Sequence, residues 1–313
     1  MILRALAYLD RHGPVLLAAG LAVGLALPPL AHAMAPLLPI FVFAITTSIM
    51  LRIEWPRVAF HARRPLRIAL VVLWALVVSP VLIAAVARLL GLPAGLSQAL
   101  VVWCASPPMT SLPAIAMLMG LDASLSLLVM VFGTFLMPLT LPPLVLGLIG
   151  LDLGIAMLPL MERLALFVLG AGVLALVLRR VIGVARLDRR AREINGFNVL
   201  LLVLFAIAIM DGMWRRIIEE PLAVLAYSAA AIGASAGLQA VSAVLFGWLE
   251  RPAALTVGLI GGNKNMAMVW ANLGAAVSPD LLLYFVCAQL PIYLLPAVLA
   301  PVYRRLGARR RLD

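Results

Sequence analysis

Runs of about 20 apolar residues follow one another along nearly the whole chain, separated by short arginine-rich or Pro/Gly breaks. A helix of roughly that length crosses the hydrocarbon core of a bilayer and satisfies its backbone hydrogen bonds internally. Strands of a membrane barrel would alternate polar and apolar residues, and these runs do not. With 65% of its 313 residues hydrophobic and 12% charged, the chain is too apolar for a water-facing surface. The class that follows is an all-α integral membrane protein.

Candidate spans lie near 13–32, 36–51, 66–90, 96–120, 123–149, 160–182, 195–213, 221–249, 252–278 and 281–303, which predicts ten transmembrane helices in one domain over 1–313. The apolar run that begins in "MILRALAYLDRHGPVLLAAG" continues past leader length without a convincing cleavage site, so it is expected to be the first span. A net charge of +11 would raise nucleic acid in a soluble protein, but here the arginines cluster between spans and read as topology signals. With a cytoplasmic N-terminus, one side collects Arg4 and Arg11, Arg52 to Arg67, Arg179 to Arg192, Arg251 and Arg304 to Arg311. That makes 19 arginines, against Arg88, Arg163, Arg215 and Arg216 on the other side. The bias predicts both termini in the cytoplasm of a multi-pass cell-membrane protein, with a bacterial inner membrane as the expected setting.

Five spans in each half, approximately 13–150 and 160–305, would place the second half upside down relative to the first. The fourth span is interrupted by "SPPMTSLP" (106–113) and the ninth by "GGNKN" (261–265). Pro and Gly kink membrane helices without any functional role. Interruptions at matching places in two halves are instead a pointer to a transporter site, where broken helices expose backbone donors and acceptors. The expectation is two inverted five-helix repeats whose helices 4 and 9 are broken and cross at the midplane.

Lys264, within "GGNKNMAMVW", is the chain's one lysine. A lysine at the centre of a membrane helix costs about 2.5–3.5 kcal/mol on insertion scales, so it should face a polar cavity or a partner. It either serves a ligand or staples the interrupted segments through a salt bridge or a carbonyl. Asp122 and Asp211 are the acidic candidates for a partner, both near span ends. Asn263 and Asn265 can donate to a carboxylate or cap the broken helix. The half-helix after Asn265 points N–H groups inward, which favours an anion. Thr110 and Ser111 offer hydroxyls from the fourth span, although such groups more often bond back to their own turn. Gln239 and Gln289 are further polar residues in apolar spans, and sequence alone does not place them.

The ten-span plan, the two interruptions and Gly262 with Asn265 in "GGNKNMAMVWANLG" resemble the bile acid:sodium symporter family, whose ninth-helix break reads approximately Glu-x-Gly-x-Gln-Asn. The stretch "CASPPMTSLPAIAMLMGLDASLSLLVMVFGTFLMP" resembles that family's fourth and fifth spans, with Pro107, Thr110, Asp122, Ser126, Thr134 and Pro138 in matching register. The resemblance implies a panel and a core, the core holding the crossed pair, that move relative to each other to alternate access. It also implies two sodium ions held by oxygens of helices four, five and nine and a glutamine of helix three. Here those oxygen positions fall on Leu112, Pro113, Ile260, Lys264 and Ala75, and of the first sodium site only Ser126 keeps an oxygen. The resemblance therefore implies the fold with its sodium chemistry removed, and Lys264 supplying the positive charge. A titratable amine in that position makes protons a candidate coupling species.

Cys104 and Cys287 lie inside apolar spans and read as packing residues. The 14 methionines and Trp103, Phe132, Phe135 and Trp270 could line an apolar cavity, but such stripes are mostly helix packing. His12, His32 and His61 lie near termini or span edges. No nucleophilic triad, metal cluster, phosphate loop or haem signature supports an enzyme or a cofactor. The leading reading is a secondary transporter of a small organic anion, with Thr110, Ser111, Asn263, Lys264 and Asn265 at the substrate and Lys264 and Ser126 at the coupling site. The alternative is a non-transporting receptor or sensor of the same fold, which would be expected to work through a soluble output domain. The transporter reading predicts that uptake is unchanged when sodium is replaced by choline or potassium. A steep sodium dependence in reconstituted vesicles would overturn it.

Overall fold

The computed structural model describes residues 12–53, 65–148, 156–273 and 277–308, together with Leu6, Tyr8, Leu9 and Val58. Arg4, Arg11, Arg57, Arg63, Arg64, Arg309, Arg310, Arg311 and His61 lie outside the described residues. Among the described residues all regular secondary structure is helical apart from one isolated β-bridge. Six helices are long and apolar enough to cross a membrane: Pro28–Leu51, Pro65–Leu89, Ala123–Gly147, Met157–Ile182, Ala191–Ala208 and Pro221–Leu245. The chain is a multi-pass helical membrane protein.

In chain order the helices are α1 (Gly13–Ala26), α2 (Pro28–Leu51), α3 (Pro65–Leu89), α4 (Ala94–Ala105), α5 (Leu112–Leu118), α6 (Ala123–Gly147), α7 (Met157–Ile182) and α8 (Val184–Arg189). They continue as α9 (Ala191–Ala208), α10 (Met213–Glu219), α11 (Pro221–Leu245), α12 (Arg251–Gly262), α13 (Met266–Leu273), α14 (Pro279–Cys287) and α15 (Gln289–Ala308). The boundary between the first two expected spans moves. Residues 28–32, assigned from sequence to the end of the first span, instead open the second helix. The cause is Pro28 with Pro29, whose fixed φ and missing N–H suit the first turn of a helix and no later one. The expected span 195–213 likewise stops at Ala208, and Gly212, at φ +72°, turns the chain into the separate helix α10.

The chain divides into two compact units. One comprises Met1–Ile53 and Leu166–Val224; the other comprises Glu54–Ala165 and Leu225–Asp313. In the first unit α9 lies along α1. A Cβ added at Gly24 would come 2.9 Å from the Cα of Ile207, so glycine lets the two backbones approach. At the end of α2, Arg179 Nη1 donates to the carbonyls of Ile53 (2.6 Å) and Leu51 (3.3 Å), and Arg52 donates to Asn195. Arg179, assigned to topology, thus also closes a helix end, whose last carbonyls have no partner within the helix. Along α7, Leu166, Leu169, Val173 and Val177 are exposed at helical spacing, an apolar stripe suited to lipid rather than water.

The second unit contains both interrupted spans. Its core is closed by aromatic contacts of Trp103 with Tyr284 and of Tyr227 with Tyr284, both edge-on, while Trp270 stacks on Phe285. Trp103 and Trp270 are therefore packing residues. Phe132, in contrast, lines an apolar groove of about 370 Å³ with Leu73, Leu76 and Leu136.

Candidate functional site

Helix α4 ends where two consecutive prolines follow Ser106. The residue before a proline is pushed out of the helical region, and Ser106 is extended at φ −65°, ψ 151°. Helix α12 ends at "GGN", with Asn263 extended at φ −125°, ψ 99°. Each interruption leaves backbone donors and acceptors that no helix satisfies, and burial makes an unpaired one costly. The structure pairs them with each other. Asn265 N–H donates to the Pro107 carbonyl (2.7 Å) and Met109 N–H donates to the Asn263 carbonyl (3.0 Å), flanking an antiparallel bridge between Pro108 and Lys264. Helices resume at Leu112 and at Met266.

Close packing around this bridge depends on glycine. A Cβ at Gly133 of α6 would lie 2.8 Å from Pro108 Cδ. On α12, a Cβ at Gly258 would lie 2.7 Å from the Gln239 carbonyl, one at Gly261 would strike Ser242 and one at Gly262 would strike the Ser235 carbonyl. Helices α11 and α12 therefore meet backbone to backbone, as small residues permit in membranes. That approach brings Ser235 Oγ to the Gly262 carbonyl (2.6 Å), giving one of the terminal carbonyls of α12 a partner. Gln239 donates to Ser235 Oγ (3.4 Å) and accepts from the Tyr303 hydroxyl (2.8 Å). Gln239 thus supports the break through Ser235, whereas Gln289 donates to Phe285 of its own turn.

Lys264 is fully buried. Its Nζ donates to the carbonyl of Ala75 at 2.5 Å. That carbonyl is available for a local reason. Residues Trp74–Val78 form a π-turn within α3, and the Ser79 N–H bonds five residues back to Trp74 instead of four back to Ala75. The next residue is Pro80, which has no N–H to give. Ala75 is left with side-chain partners: Lys264 Nζ and, at 3.3 Å, Ser79 Oγ, which in turn accepts from Cys104 Sγ at 3.4 Å. Sequence reasoning missed this acceptor. The signal was Pro80 inside an otherwise unbroken apolar span, because an interior proline strips the partner from a carbonyl one turn back.

Among the described residues no carboxylate pairs with Lys264. Asp122 caps α6, accepting from Leu125 N–H (2.9 Å), and its own N–H donates to Thr256 Oγ1 (2.9 Å). Asp211 lies 3.2 Å from His32 in the other unit. Of the expected site residues, Asn263, Lys264 and Asn265 are drawn against Pro107, Pro108 and Met109, and Thr110 and Ser111 follow directly in the chain. Asn263 Nδ2 caps its own helix at the Leu259 carbonyl (2.8 Å). Its Oδ1 is buried without a partner among the described residues, as are the hydroxyls of Ser111 and Ser126. Thr134 bonds back to Met130 one turn earlier, the ordinary behaviour of threonine in a membrane helix. Among the described residues no group of His, Cys, Asp and Glu side chains could hold a metal ion.

The glycine contacts give a direct test. Gly262→Leu should lower the unfolding temperature in detergent markedly, since overpacking of this kind costs about 1–3 kcal/mol or more. Gly233→Ala on α11, where an added Cβ meets nothing within 4 Å, should be neutral or stabilising, because alanine favours helix by about 1 kcal/mol over glycine. Equal effects of the two substitutions would contradict the backbone-to-backbone contact. Compared with known proteins, the chain matches no family model and no curated protein.

Proposed function

We propose that the chain is a sodium-independent secondary transporter of a small organic anion, built on the plan of the bile acid:sodium symporters, with Lys264 as the fixed cation at its substrate site. The observation that carries this reading is a fully buried lysine at the meeting point of two broken helices, without a carboxylate partner among the described residues. One carbonyl offsets only part of the cost of placing an ammonium at that depth. An ammonium has three donors, and Ala75 takes one. The unused Ser111 hydroxyl could donate to the same incoming carboxylate, and the free Asn263 Oδ1 offers an acceptor to the ammonium or to a water between them.

The ten-span plan draws support from the helix inventory: six long helices, the broken pairs α4/α5 and α12/α13, and the shorter apolar helices Val15–Ala26 and Pro279–Ile292. Inverted repeats draw support from the composition of the two units. Each takes corresponding stretches from the two halves of the chain, spans one and two with six and seven, and spans three to five with eight to ten. A second reading is favoured by the bond to Ala75, in which Lys264 is a staple that holds the ninth-span break to α3. A receptor of the same fold would bind the anion without moving it.

Lys264→Met separates these readings in proteoliposomes, with a panel of mono- and dicarboxylates as probes. For the transporter, uptake falls to the level of empty vesicles. The unfolding temperature then changes by less than about 2 °C, under 1 kcal/mol on the scale of globular domains, since removing a buried unpaired charge offsets the lost hydrogen bond. A fall of many degrees with uptake retained per folded molecule assigns the staple; saturable binding with no uptake by the wild type assigns the receptor.

Proton coupling is the alternative role for the same amine, and it requires Lys264 to be neutral in the empty site. A carboxylate arriving beside it would then bring a proton, and substrate and proton would cross together. In that case a pH-sensitive dye trapped in the vesicles reports acidification of the lumen during uptake. Uptake without proton movement at every pH between about 5 and 8 would leave Lys264 as a permanent counter-charge.

A further inference from the structure

A second candidate site lies in the unit of Met1–Ile53 and Leu166–Val224, which contains neither interruption. Helices α2, α7 and α9 enclose a trough of about 470 Å³, within the range of ligand-sized cavities. Its walls are apolar along most of their length: Phe43, Leu51, Leu174, Leu178, Ile182 and Phe197. At one end the lining becomes charged, with Arg186 on α8, Arg190 just after it, and Glu193 on α9. Gly183, at φ +85°, turns the chain from α7 into α8, which places these arginines beside the end of the trough.

Among the described basic groups near this end, four divide into two kinds. Arg179 and Arg52 are committed to the end of α2, through the Leu51 and Ile53 carbonyls and through Asn195. Arg186 and Arg190 are exposed, and among the described residues neither is paired with a carboxylate. With Glu193 they give the rim a formal charge of +1, two arginines less one glutamate. Inside the trough, Thr47 is 5% exposed and its Oγ1 has no hydrogen-bond partner among the described residues. Thr47 sits four residues, or about 6 Å, below the last residue of α2. From mouth to interior the trough therefore presents a cationic rim, an unused hydroxyl one turn down, and hydrocarbon beyond.

We propose that this trough binds one monoanionic glycerophospholipid, with its phosphate on Arg186 and Arg190, an ester carbonyl accepting from Thr47, and an acyl chain along Phe43, Leu174 and Leu178. The three zones match the three parts of such a lipid in order and in depth. A purely apolar ligand leaves the Thr47 hydroxyl and the arginines unused. Free phosphate leaves the trough empty. A zwitterionic lipid leaves the rim charge unbalanced. Guanidinium groups are suited to phosphate because they donate in pairs to its oxygens. Basic pockets between membrane helices at the cytoplasmic surface are a recurrent way of holding anionic lipid, and this rim belongs to the segment whose arginine density predicts a cytoplasmic location.

The test uses the full chain, purified and delipidated in detergent, titrated with a phosphatidylglycerol or a phosphatidylcholine of the same acyl chains, with binding read by native mass spectrometry. The expected result is phosphatidylglycerol binding about tenfold tighter. That preference should vanish in the R186Q/R190Q double variant, persist in R186K/R190K and increase in E193Q. Ala44→Phe, which fills the trough wall, should weaken both lipids. Equal binding of the two lipids by the wild type, a preference that survives R186Q/R190Q, or undiminished binding by Ala44→Phe would each overturn the assignment. So would displacement of the lipid by inorganic phosphate at equal concentration, which would make the site one for phosphate alone. Both arginines are exposed, so their replacement tests recognition rather than folding.

Discussion

Two backbone hydrogen bonds, Asn265 N–H to Pro107 and Met109 N–H to Asn263, hold the second unit together at its weakest point. Two helices are interrupted inside a membrane protein, where the surroundings offer no water to the freed groups. Non-helical backbone survives there only if protein or a cavity satisfies it. Each break supplies what the other lacks, so neither is tolerable alone. The prolines contribute by omission, since Pro107 and Pro108 end α4 without adding N–H groups that would need partners of their own. The glycines contribute by size, admitting α11 to α12 and α6 to Pro108.

The ammonium of Lys264 is tied to the same point, through a different defect in a different helix. A π-turn and Pro80 together leave the Ala75 carbonyl without a backbone donor, and a lysine entering from the ninth-span break takes it. A missing N–H on one helix is thus answered by a charge from another. The arrangement explains how the ammonium is held at its depth, but among the described residues it engages one of three donors. The functional proposal rests on that remainder, and on the unused Ser111 hydroxyl carried by the other break. The lipid proposal follows the same logic in the other unit: Arg179, which closes the end of α2, is structural, and Arg186 and Arg190, paired with no carboxylate among the described residues, are available to a ligand.

Much of this was legible in the chain because membrane helices announce themselves by length and apolarity, and breakers by residue type. The two interruptions, the isolated lysine, and the placement of Asp122 and Asp211 near span ends all follow from one-dimensional patterns, although the breaks are shorter than expected, 106–111 and 263–265, because Leu112 and Pro113 already open α5 and Gly261 and Gly262 still belong to α12. The first boundary was misread because apolarity runs unbroken through Leu27, Pro28 and Pro29; a proline pair can end one helix or begin the next, and here it begins α2. Gln239 could not be placed from sequence because its partners, Ser235 on its own helix and Tyr303 on α15, become a single chain of bonds only when α15 lies against α11.

The sequence by itself determined that this is a multi-pass helical membrane protein and where its helices must fail, because length, apolarity and the stereochemistry of proline and glycine act locally. Tertiary structure decided what those failures are for. It chose Asn265 and Pro107 as partners across a separation of more than a hundred residues, gave Lys264 a carbonyl rather than a carboxylate, and left Ser111, Ser126 and Thr47 with hydroxyls unused among the described residues. Those outcomes depend on which freed donor meets which freed acceptor once the helices pack, and no local pattern encodes that meeting.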